Sequence, residues 1–256
     1  MSMLIGAHTP AQDPLAEARV RGADVIQLFL SAPQSYKKPV PRDDADELRA
    51  SPLPIFVHAP YVINVASPNN RIRIPARKTL ANACAAAESI GASGVVVHGG
   101  HVGDGEDIAV GFERWRKAID SFTTTVPILI ENTAGGDHAV VRSIANYAPL
   151  FAELGDRNVG VCLDTCHAWA AGEDLATIAR TIHETGSRIG LVHCNDSKDL
   201  LDSRRDRHAN LGAGMIPHQL LLQCLRDAGA PVVLETPGGA NEHTADLAWL
   251  RDRLDG

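Results

Sequence analysis

Short runs of hydrophobic residues alternate with longer amphipathic segments along this chain. The short runs are rich in valine, isoleucine and leucine and lack strict polar alternation, a pattern typical of strands that are buried on both faces. Such strands are predicted at Leu4–His8, Asp24–Leu30, Pro54–Tyr61, Gly94–Gly100, Pro127–Thr133, Val159–Asp164, Ile189–Asn195 and Pro231–Thr236.

Apolar residues recur at spacings of three and four between most of these runs, which predicts amphipathic helices. The clearest helix follows the fourth run, where Ile108, Phe112, Trp115 and Phe122 share one face. Eight strand–helix alternations in 256 residues predict an α/β protein with a single (β/α)8 TIM-barrel domain over residues 1–256. A barrel of this kind typically takes about 250 residues.

The alternative fold is an open, doubly wound sheet. It would need fewer strands and usually carries a glycine-rich phosphate-binding turn after its first strand. The segment at the end of the first predicted strand, GAHTPAQD, is not such a turn. The barrel is therefore the favoured prediction.

Seven of the eight predicted strands contain, at or near their ends, a residue that can bind a metal ion. In a TIM barrel the C-terminal strand ends meet at one rim, where active sites form. A single histidine there is more often structural, but several converging buried carboxylates need charged partners, which metal ions supply. These residues are His8, His58, His98, Glu131, Asp164, His193 and Glu235.

The segment Leu191–Gly214, LVHCNDSKDLLDSRRDRHANLGAG, mixes metal-ligand residue types with arginines and lysines. Asp206 and His208 lie within it, and Asp164 and His167 lie three residues apart where a strand is predicted to turn into a helix. Metal ligands beside basic side chains favour metal-assisted chemistry on a phosphate. A polar surface loop and a helix N-cap at Asp164 are the alternative interpretations.

The composition is that of an ordinary globular protein, and the formal net charge of −7 argues against a simple basic nucleic-acid binder. The five cysteines form no CxxC pair, so they are interpreted as buried, reduced thiols. The N-terminus does not resemble a secretion signal, and no segment reaches the roughly 18 apolar residues of a membrane span. These features predict a cytoplasmic protein that does not bind membranes.

Basic residues cluster in the segments that follow predicted strands two, three and seven, and these segments are expected to open on the rim. A protein that is acidic overall can still present a local basic surface to a nucleic acid, although each charge taken singly can also be a solvated loop residue. Tyr61 can stack on a base or sugar, or simply pack at the rim. The candidate DNA-binding residues are Tyr61, Lys37, Lys38, Arg71, Arg73, Arg204 and Arg205.

Several segments resemble the motifs of the endonuclease IV family, the zinc-dependent apurinic/apyrimidinic endonucleases. They are VVHGGH, LIENTAGG, GVCLDTCHAWAAG, and LVHCNDSKD with SRRDRHANLGAG, and the resemblance extends from GAH to LETP. It implies a TIM barrel with three zinc ions that cleaves duplex DNA 5′ to abasic sites and leaves 3′-hydroxyl and 5′-deoxyribose phosphate ends. We also expect removal of 3′-blocking groups, a monomer, and no nucleotide cofactor.

Carried over to this sequence, the resemblance assigns the zinc ligands in groups that share Glu131. His58, His98 and Glu131 would hold the first ion, Glu131, Asp164, His193 and Glu235 the second, and His167, Asp206 and His208 the third. Glu131 and Glu235 are the predicted catalytic carboxylates. His8 and His101 are placed outside the ligand set, and the predicted surface histidines are His138, His183, His218 and His243.

The sequence departs from the family pattern in two places. It reads HGGH where many members have a proline after the first histidine, and SAPQSYKK lacks an arginine that many members carry near Gln34. The DNA contacts of that loop are therefore left open. The rival functions are a metal-dependent sugar isomerase or epimerase, which would bind fewer ions through mostly carboxylate ligands, and a non-catalytic DNA-binding module, which would not cut abasic DNA.

Overall fold

Eight parallel strands close into a barrel in this computed structural model, which describes residues 3–254. The first strand pairs with the last through Ile5 and Val232, and this closure excludes the open sheet. Each barrel strand lies within one of the predicted runs, so the TIM-barrel prediction is confirmed. The strands are β1 (Ile5–His8), β2 (Ile26–Phe29), β3 (Ile55–His58), β4 (Gly94–His98), β5 (Ile128–Glu131), β6 (Val159–Asp164), β7 (Ile189–His193), the short ribbon strands β8 (Asp196–Ser197) and β9 (His208–Ala209), and β10 (Val232–Leu234).

Helices connect the barrel strands and cover their outer faces. They are α1 (Pro14–Arg21), α2 (Ala45–Ala50), α3 (Asn70–Ser89), α4 (Ile108–Ile119), α5 (Tyr147–Leu154), α6 (Thr165–Ala170), α7 (Ile178–Glu184), α8 (His218–Ala228) and α9 (Ala240–Leu254). The helix after β4 ends before Phe122, contrary to prediction, because β-branched threonines that disfavour a helix follow it. Within residues 3–254, no helix is long and apolar enough to cross a membrane.

Side-chain alternation along the strands gives the barrel interior two levels. The lower level is one buried cluster formed by Val25, Phe56, Val96, Leu129, Cys162, Leu191 and Val233. Because successive side chains of a strand point to opposite faces, the residue two positions further along also points inward. These residues are Gln27, His58, His98, Glu131, Asp164, His193 and Glu235. The polar rim therefore lies directly above an apolar floor.

Two buried aromatic side chains tie the outer helices to the upper ends of the strands. Trp115 on α4 donates a hydrogen bond to the Gly99 carbonyl oxygen at 2.8 Å. Tyr147 at the start of α5 donates one to the Ile130 carbonyl oxygen at 2.9 Å. Both side chains are fully buried, so these bonds fix the helix positions next to β4 and β5.

We expect Gly6→Ala to destabilise the barrel by at least about 2 kcal/mol. A Cβ atom on Gly6 would lie 1.6 Å from the backbone oxygen of Val25, which cannot move without disturbing the neighbouring strand. Urea unfolding of the purified variant measures the loss. Gly239→Ala is the matched control, because a Cβ there meets only the Glu242 carboxylate at 3.8 Å. Equal losses in the two variants would contradict the steric explanation.

Candidate metal centre

Strand register brings the inward-facing polar residues to one level at the C-terminal rim. His98 is the ladder partner of Glu131, and Asp164 is the ladder partner of His193. Neighbouring strands in a sheet lie about 4.8 Å apart, which puts such partners within reach of one another. The rim is therefore built by the backbone pairing of the strands, and its residues come from distant parts of the sequence.

Glu131 lies at the centre of this rim, and its side chain is fully buried. Its Oε2 atom lies 3.2 Å from His58 Nε2 and 3.3 Å from His98 Nε2. Its Oε1 atom lies 3.2 Å from His193 Nδ1 and 3.3 Å from His167 Nδ1. The two oxygens of one carboxylate are thus shared between two groups of histidines.

A second group adjoins the Oε1 atom of Glu131. His193 Nδ1 lies 3.2 Å from Glu235 Oε2 and 3.9 Å from Asp164 Oδ2. Donor atoms that share one tetrahedral zinc ion at about 2.0–2.1 Å are about 3.3 Å apart, so these separations suit a common ion. The ligand-type atoms of Glu131, Asp164, His193 and Glu235 all lie within 4.8 Å of one another, as do those of His58, His98 and Glu131.

A third group joins the start of α6 to the β8–β9 ribbon. His167 Nε2 lies 3.2 Å from Asp206 Oδ2, and His208 Nε2 lies 3.1 Å from Asp206 Oδ1. Within residues 3–254, neither buried nitrogen has a hydrogen-bond partner, since the approach to Asp206 has the wrong geometry. Nitrogens that face a carboxylate without bonding to it fit donors arranged around a cation. Asp164 also lies 3.8 Å from His208, so its carboxylate adjoins both the second and third groups.

Three histidines of the rim are oriented by a hydrogen bond from one ring nitrogen to the backbone. In His58, His167 and His208 this atom is Nδ1, and it lies 2.7, 3.0 and 3.1 Å from a backbone carbonyl oxygen. Because a carbonyl oxygen only accepts, each Nδ1 carries a proton, and Nε2 is the nitrogen left to bind a cation. Metal-binding histidines are typically oriented in this way, so these residues fit a metal centre.

The electrostatics of the rim keep its carboxylates ionised. Burial alone would raise the pKa of the Glu131 carboxyl, but His193 and His98 outweigh this effect and hold that pKa well below the usual value. Burial is likewise outweighed at Glu235, where His193 makes the largest opposing contribution and lowers the pKa. Burial would lower the pKa of His208, yet Asp206 raises it to about 9. The carboxylates are thus kept in the ionised form that a cation requires, whereas a cation bound at His208 would displace a proton.

Comparison with known proteins identifies the family. Residues 15–253 match the model of the xylose isomerase-like TIM-barrel family. Over 251 residues the chain is 56% identical to the Mycobacterium bovis (strain BCG / Pasteur 1173P2) protein named "Probable endonuclease 4". The alignment covers 98% of this chain and 99% of that protein. The chain belongs to the endonuclease IV family. The resemblance predicted from the sequence motifs is thereby confirmed.

Solved structures agree with membership of the endonuclease IV family. Endonuclease IV from Thermus thermophilus superposes with a TM-score of 0.85 at 29% identity, over 98% of this chain and 99% of that chain. A D-tagatose 3-epimerase-like protein reaches a TM-score of 0.82 at 18% identity, over 99% of this chain and 97% of that chain. The second similarity shows the shared fold alone.

Polar residues that the sequence analysis missed support the rim of this endonuclease IV-family protein. The Asn132 amide exchanges two hydrogen bonds with the Asp164 backbone, at 2.8 and 3.0 Å. Asn195 donates to Asp164 Oδ2 at 2.8 Å and accepts from the Glu235 amide at 2.9 Å. Gln27 contacts His193 and Glu235. Their signal in the sequence was an amide inside or just after an apolar run, where a buried polar side chain needs partners.

Asp196 anchors the loop that carries Asp206 and His208. Its carboxylate is fully buried and accepts four backbone N–H groups, so it fixes both ends of the loop. A Cβ at Gly214 would lie 2.3 Å from this carboxylate, so only glycine permits the contact. The donors are Ser197 at 2.8 Å, Gly212 at 3.1 Å, Gly214 at 3.0 Å and Ile216 at 3.0 Å.

The cysteines near the rim are buried, as predicted. The sulfur of Cys166 lies within 4.8 Å of ligand-type atoms of Asp206 and His208. Burial raises the pKa of the Cys166 thiol to about 12, and a protonated thiol is a poor metal ligand. Asp206 and His208 therefore remain the better ligands at this position.

Tyr61 stands at the mouth of the centre between two cavities. The residue is 47% exposed, and its ring centroid lies 5.2 Å from that of His58 and 5.3 Å from that of His98. A cavity of about 520 Å³ on one side is lined partly by His208 and Glu235, and one of about 460 Å³ on the other side partly by His98. A molecule that enters the rim from either side meets this ring.

Two of the predicted DNA-binding residues have other contacts in the structure. Arg73 lies in the first turns of α3 and donates to the backbone oxygens of Ser67 and Pro68, so it holds its own loop in place. Lys38 lines a cavity of about 200 Å³ next to Ala85 and Ile90, on the flank of the barrel. The structure does not bring Lys38 to the metal-ligand residues.

The other basic candidates are exposed and differ in their ion pairs. Arg204 lies 3.0 Å from Asp137, and Arg205 lies 3.8 Å from Asp199. The ion pairs found within residues 3–254 include neither Lys37 nor Arg71. Among the predicted DNA-binding residues in the part of the chain that the structure describes, Lys37 and Arg71 are thus exposed without an internal ion pair.

One predicted surface histidine is buried, so that prediction was wrong. His243 on α9 is 6% exposed, accepts a hydrogen bond from Arg21 Nε at 3.2 Å and donates one to the Thr236 carbonyl oxygen at 2.9 Å. The reason is that the inner face of α9 packs against α1. Among the others, His183 and His218 are exposed and His138 is half-buried.

We expect Asp196→Asn to loosen the loop between β8 and β9 and to leave the barrel folded. An amide accepts through one oxygen only, so the backbone N–H groups on the other side of the side chain lose their acceptor. Cleavage by trypsin after Arg204, Arg205 and Arg207 should accelerate about tenfold, a loss of roughly 1.4 kcal/mol in local stability. Mass spectrometry of the fragments measures the rate.

The control for this loop is Asp120→Asn, which removes a carboxylate that pairs with Arg157 at the C-terminal end of α4. It should leave the cleavage rate in the loop unchanged. If both variants, or neither, change that rate, Asp196 does not anchor the loop.

Proposed function

We propose that this protein is a zinc-dependent DNA-repair endonuclease that hydrolyses the phosphodiester bond 5′ to abasic sites in duplex DNA. The proposed products carry 3′-hydroxyl and 5′-deoxyribose phosphate ends, and the same centre would remove 3′-blocking groups. The observation that carries the proposal is the shared Glu131 carboxylate, whose Oε2 faces His58 and His98 while its Oε1 faces His193. Such a carboxylate suits two ions held side by side.

The proposed ligand groups follow from the same contacts. Zinc bound there supplies activated water near neutral pH and positive charge beside a phosphate. Glu131 and Glu235 are the proposed catalytic carboxylates, and Glu235, with its side chain 14% exposed, lines the larger cavity next to Tyr61. The first group is His58, His98 and Glu131, the second is Glu131, Asp164, His193 and Glu235, and the third is His167, Asp206 and His208.

The depth of the centre supports a preference for abasic sites. His58 is 2% exposed and Glu131 is fully buried, so a phosphodiester inside a regular duplex cannot reach them. The nucleotide has to leave the helix, and extrusion is least costly where no base stacks or pairs. Tyr61 at the mouth would contact the extruded nucleotide. Lys37 and Arg71 supply part of the positive charge that the phosphates need.

The test is incubation of the purified protein with a duplex that carries one abasic analogue, with and without a chelator. We expect a single cut 5′ to the analogue, loss of cutting with the chelator, and recovery with zinc. An intact duplex of the same sequence is the control substrate. Absence of cutting by zinc-loaded protein would exclude the proposal, and epimerisation of a free ketose would instead favour the sugar-enzyme alternative.

Glu131→Ala is expected to reduce cleavage by several orders of magnitude while the fold is retained, because the first and second groups lose their shared ligand. Cleavage rates and zinc content of the two proteins are compared after circular dichroism. His101→Ala is the control, since His101 is exposed and lies outside the three groups. Cleavage within about tenfold of wild type at unchanged zinc content would remove Glu131 from its proposed role.

Metal removal is expected to weaken DNA binding as well as to abolish cutting. We expect about three zinc ions per chain, which would offset most of the net charge of −7 and place positive charge at the rim. The metal-free protein should bind an abasic duplex at least about tenfold more weakly, and both forms should bind less tightly as salt increases. Elemental analysis and fluorescence anisotropy at two salt concentrations measure these quantities. Equal DNA affinity of the zinc-loaded and metal-free proteins would show that the metals act in cleavage and not in DNA binding.

A further inference from the structure

Gln27 differs in kind from the other inward-facing residues of the rim. It is a fully buried amide in the middle of β2, and none of the three proposed ligand groups includes it. Its side chain makes three polar contacts. Nε2 lies 2.7 Å from Glu235 Oε1 and 3.1 Å from His8 Nδ1, and Oε1 lies 2.9 Å from His193 Nε2.

The chemistry of these neighbours fixes the direction of each hydrogen bond. An ionised carboxylate only accepts, so the Gln27 amide nitrogen must be the atom that faces Glu235. The amide oxygen then faces His193, and because that oxygen only accepts, His193 Nε2 must carry the proton. His193 Nδ1, which faces Glu131, Asp164 and Glu235, is consequently the nitrogen left to bind a cation.

The same amide also selects the oxygen of Glu235 that faces the centre. Oε1 receives the Gln27 hydrogen bond and lies 3.5 Å from His8 Nδ1. Oε2 is left free and lies 3.2 Å from His193 Nδ1. One side chain thus orients two members of the second group from the side away from the candidate metal position.

We propose that Gln27 is a positioning residue that sets the zinc affinity of the second group by fixing the tautomer of His193 and the orientation of Glu235. This inference rests on the proposed metal centre. The other three oriented histidines use backbone carbonyl oxygens, which no substitution removes. For His193 the side chain of Gln27 takes the place of the carbonyl oxygen. Among these four histidines, His193 is therefore the one whose orientation a single substitution can change.

The test replaces Gln27 in the full chain and follows zinc directly. Gln27→Met keeps the length of the side chain but can neither accept from His193 nor donate to Glu235. During titration with a competing chelator, it should lose about one zinc ion per chain at about 10- to 100-fold lower chelator concentration than wild type. The remaining zinc should be released as in wild type. Nitrogen NMR of histidine-labelled, zinc-loaded protein should show that His193 no longer has a single protonated nitrogen, Nε2.

Gln27→Glu keeps the size and polarity of the side chain and tests whether the hydrogen bonds themselves carry the role. Two carboxyl groups this close share a proton, so the new side chain can still accept from His193 and donate to Glu235. The His193 tautomer and the zinc release should therefore stay closer to wild type than in Gln27→Met. Ser187→Ala is the matched control, because it removes a buried hydroxyl that lies two residues before β7, at the end of that strand opposite His193, and contacts Thr185. It should leave both the zinc release and the His193 signal unchanged.

The outcomes distinguish this inference from the proposed function. If wild type binds no zinc, the metal centre itself is excluded. If wild type binds zinc and both Gln27 variants release it as wild type does, Gln27 has no positioning role and the metal centre stands. If Ser187→Ala also releases zinc as early as Gln27→Met, the positioning role is excluded, because loss of any buried polar group would then have the same effect.

Discussion

A polar side chain that points into a closed barrel has no bulk water to satisfy it, and this constraint organises the whole rim. Glu131, Asp164 and His193 are fully buried above an apolar floor. A carboxylate in such a place is tolerated only with charged or hydrogen-bonding partners close by. The neighbouring strands supply the imidazoles, and the amides of Gln27, Asn132 and Asn195 take up the remaining hydrogen bonds. The proposed zinc ions complete the same balance of charge.

The barrel and most of the candidate centre could be predicted because both follow from local pattern. Buried strands read as apolar runs, and a histidine or carboxylate at the end of such a run is visible without knowing its partners. The partners themselves were not visible. Gln27 and His193 are 166 positions apart in the chain, and only the closure of the barrel makes them neighbours. Hydrophobic periodicity indicates which face of a strand or helix a residue occupies. It carries no information about which side chain from another strand it will contact.

The basic surface shows a different limit. The sequence correctly predicted that Arg71 and Arg204 follow strands that end at the rim. It did not predict in which direction a flexible side chain points. Arg73 folds back onto the carbonyl oxygens of its own loop, and Lys38 follows the chain onto the flank of the barrel. A long side chain can reach several alternative partners, and the local backbone conformation decides which of them it contacts. The buried His243 is a similar case, since a helix face is decided by what packs against it.

The pairing of the first strand with the last has a consequence for the order of events during synthesis. β1 leaves the ribosome early, but its second neighbour, β10, is made only after Pro231. Until then Ile5 lacks its partner in β10, and Glu235 does not yet exist. His58, His98 and Glu131 are therefore synthesised long before the second group is complete. Domains tend to fold as units during synthesis, so the early histidines are exposed to whatever ions the cell offers before the barrel closes and imposes its own selection.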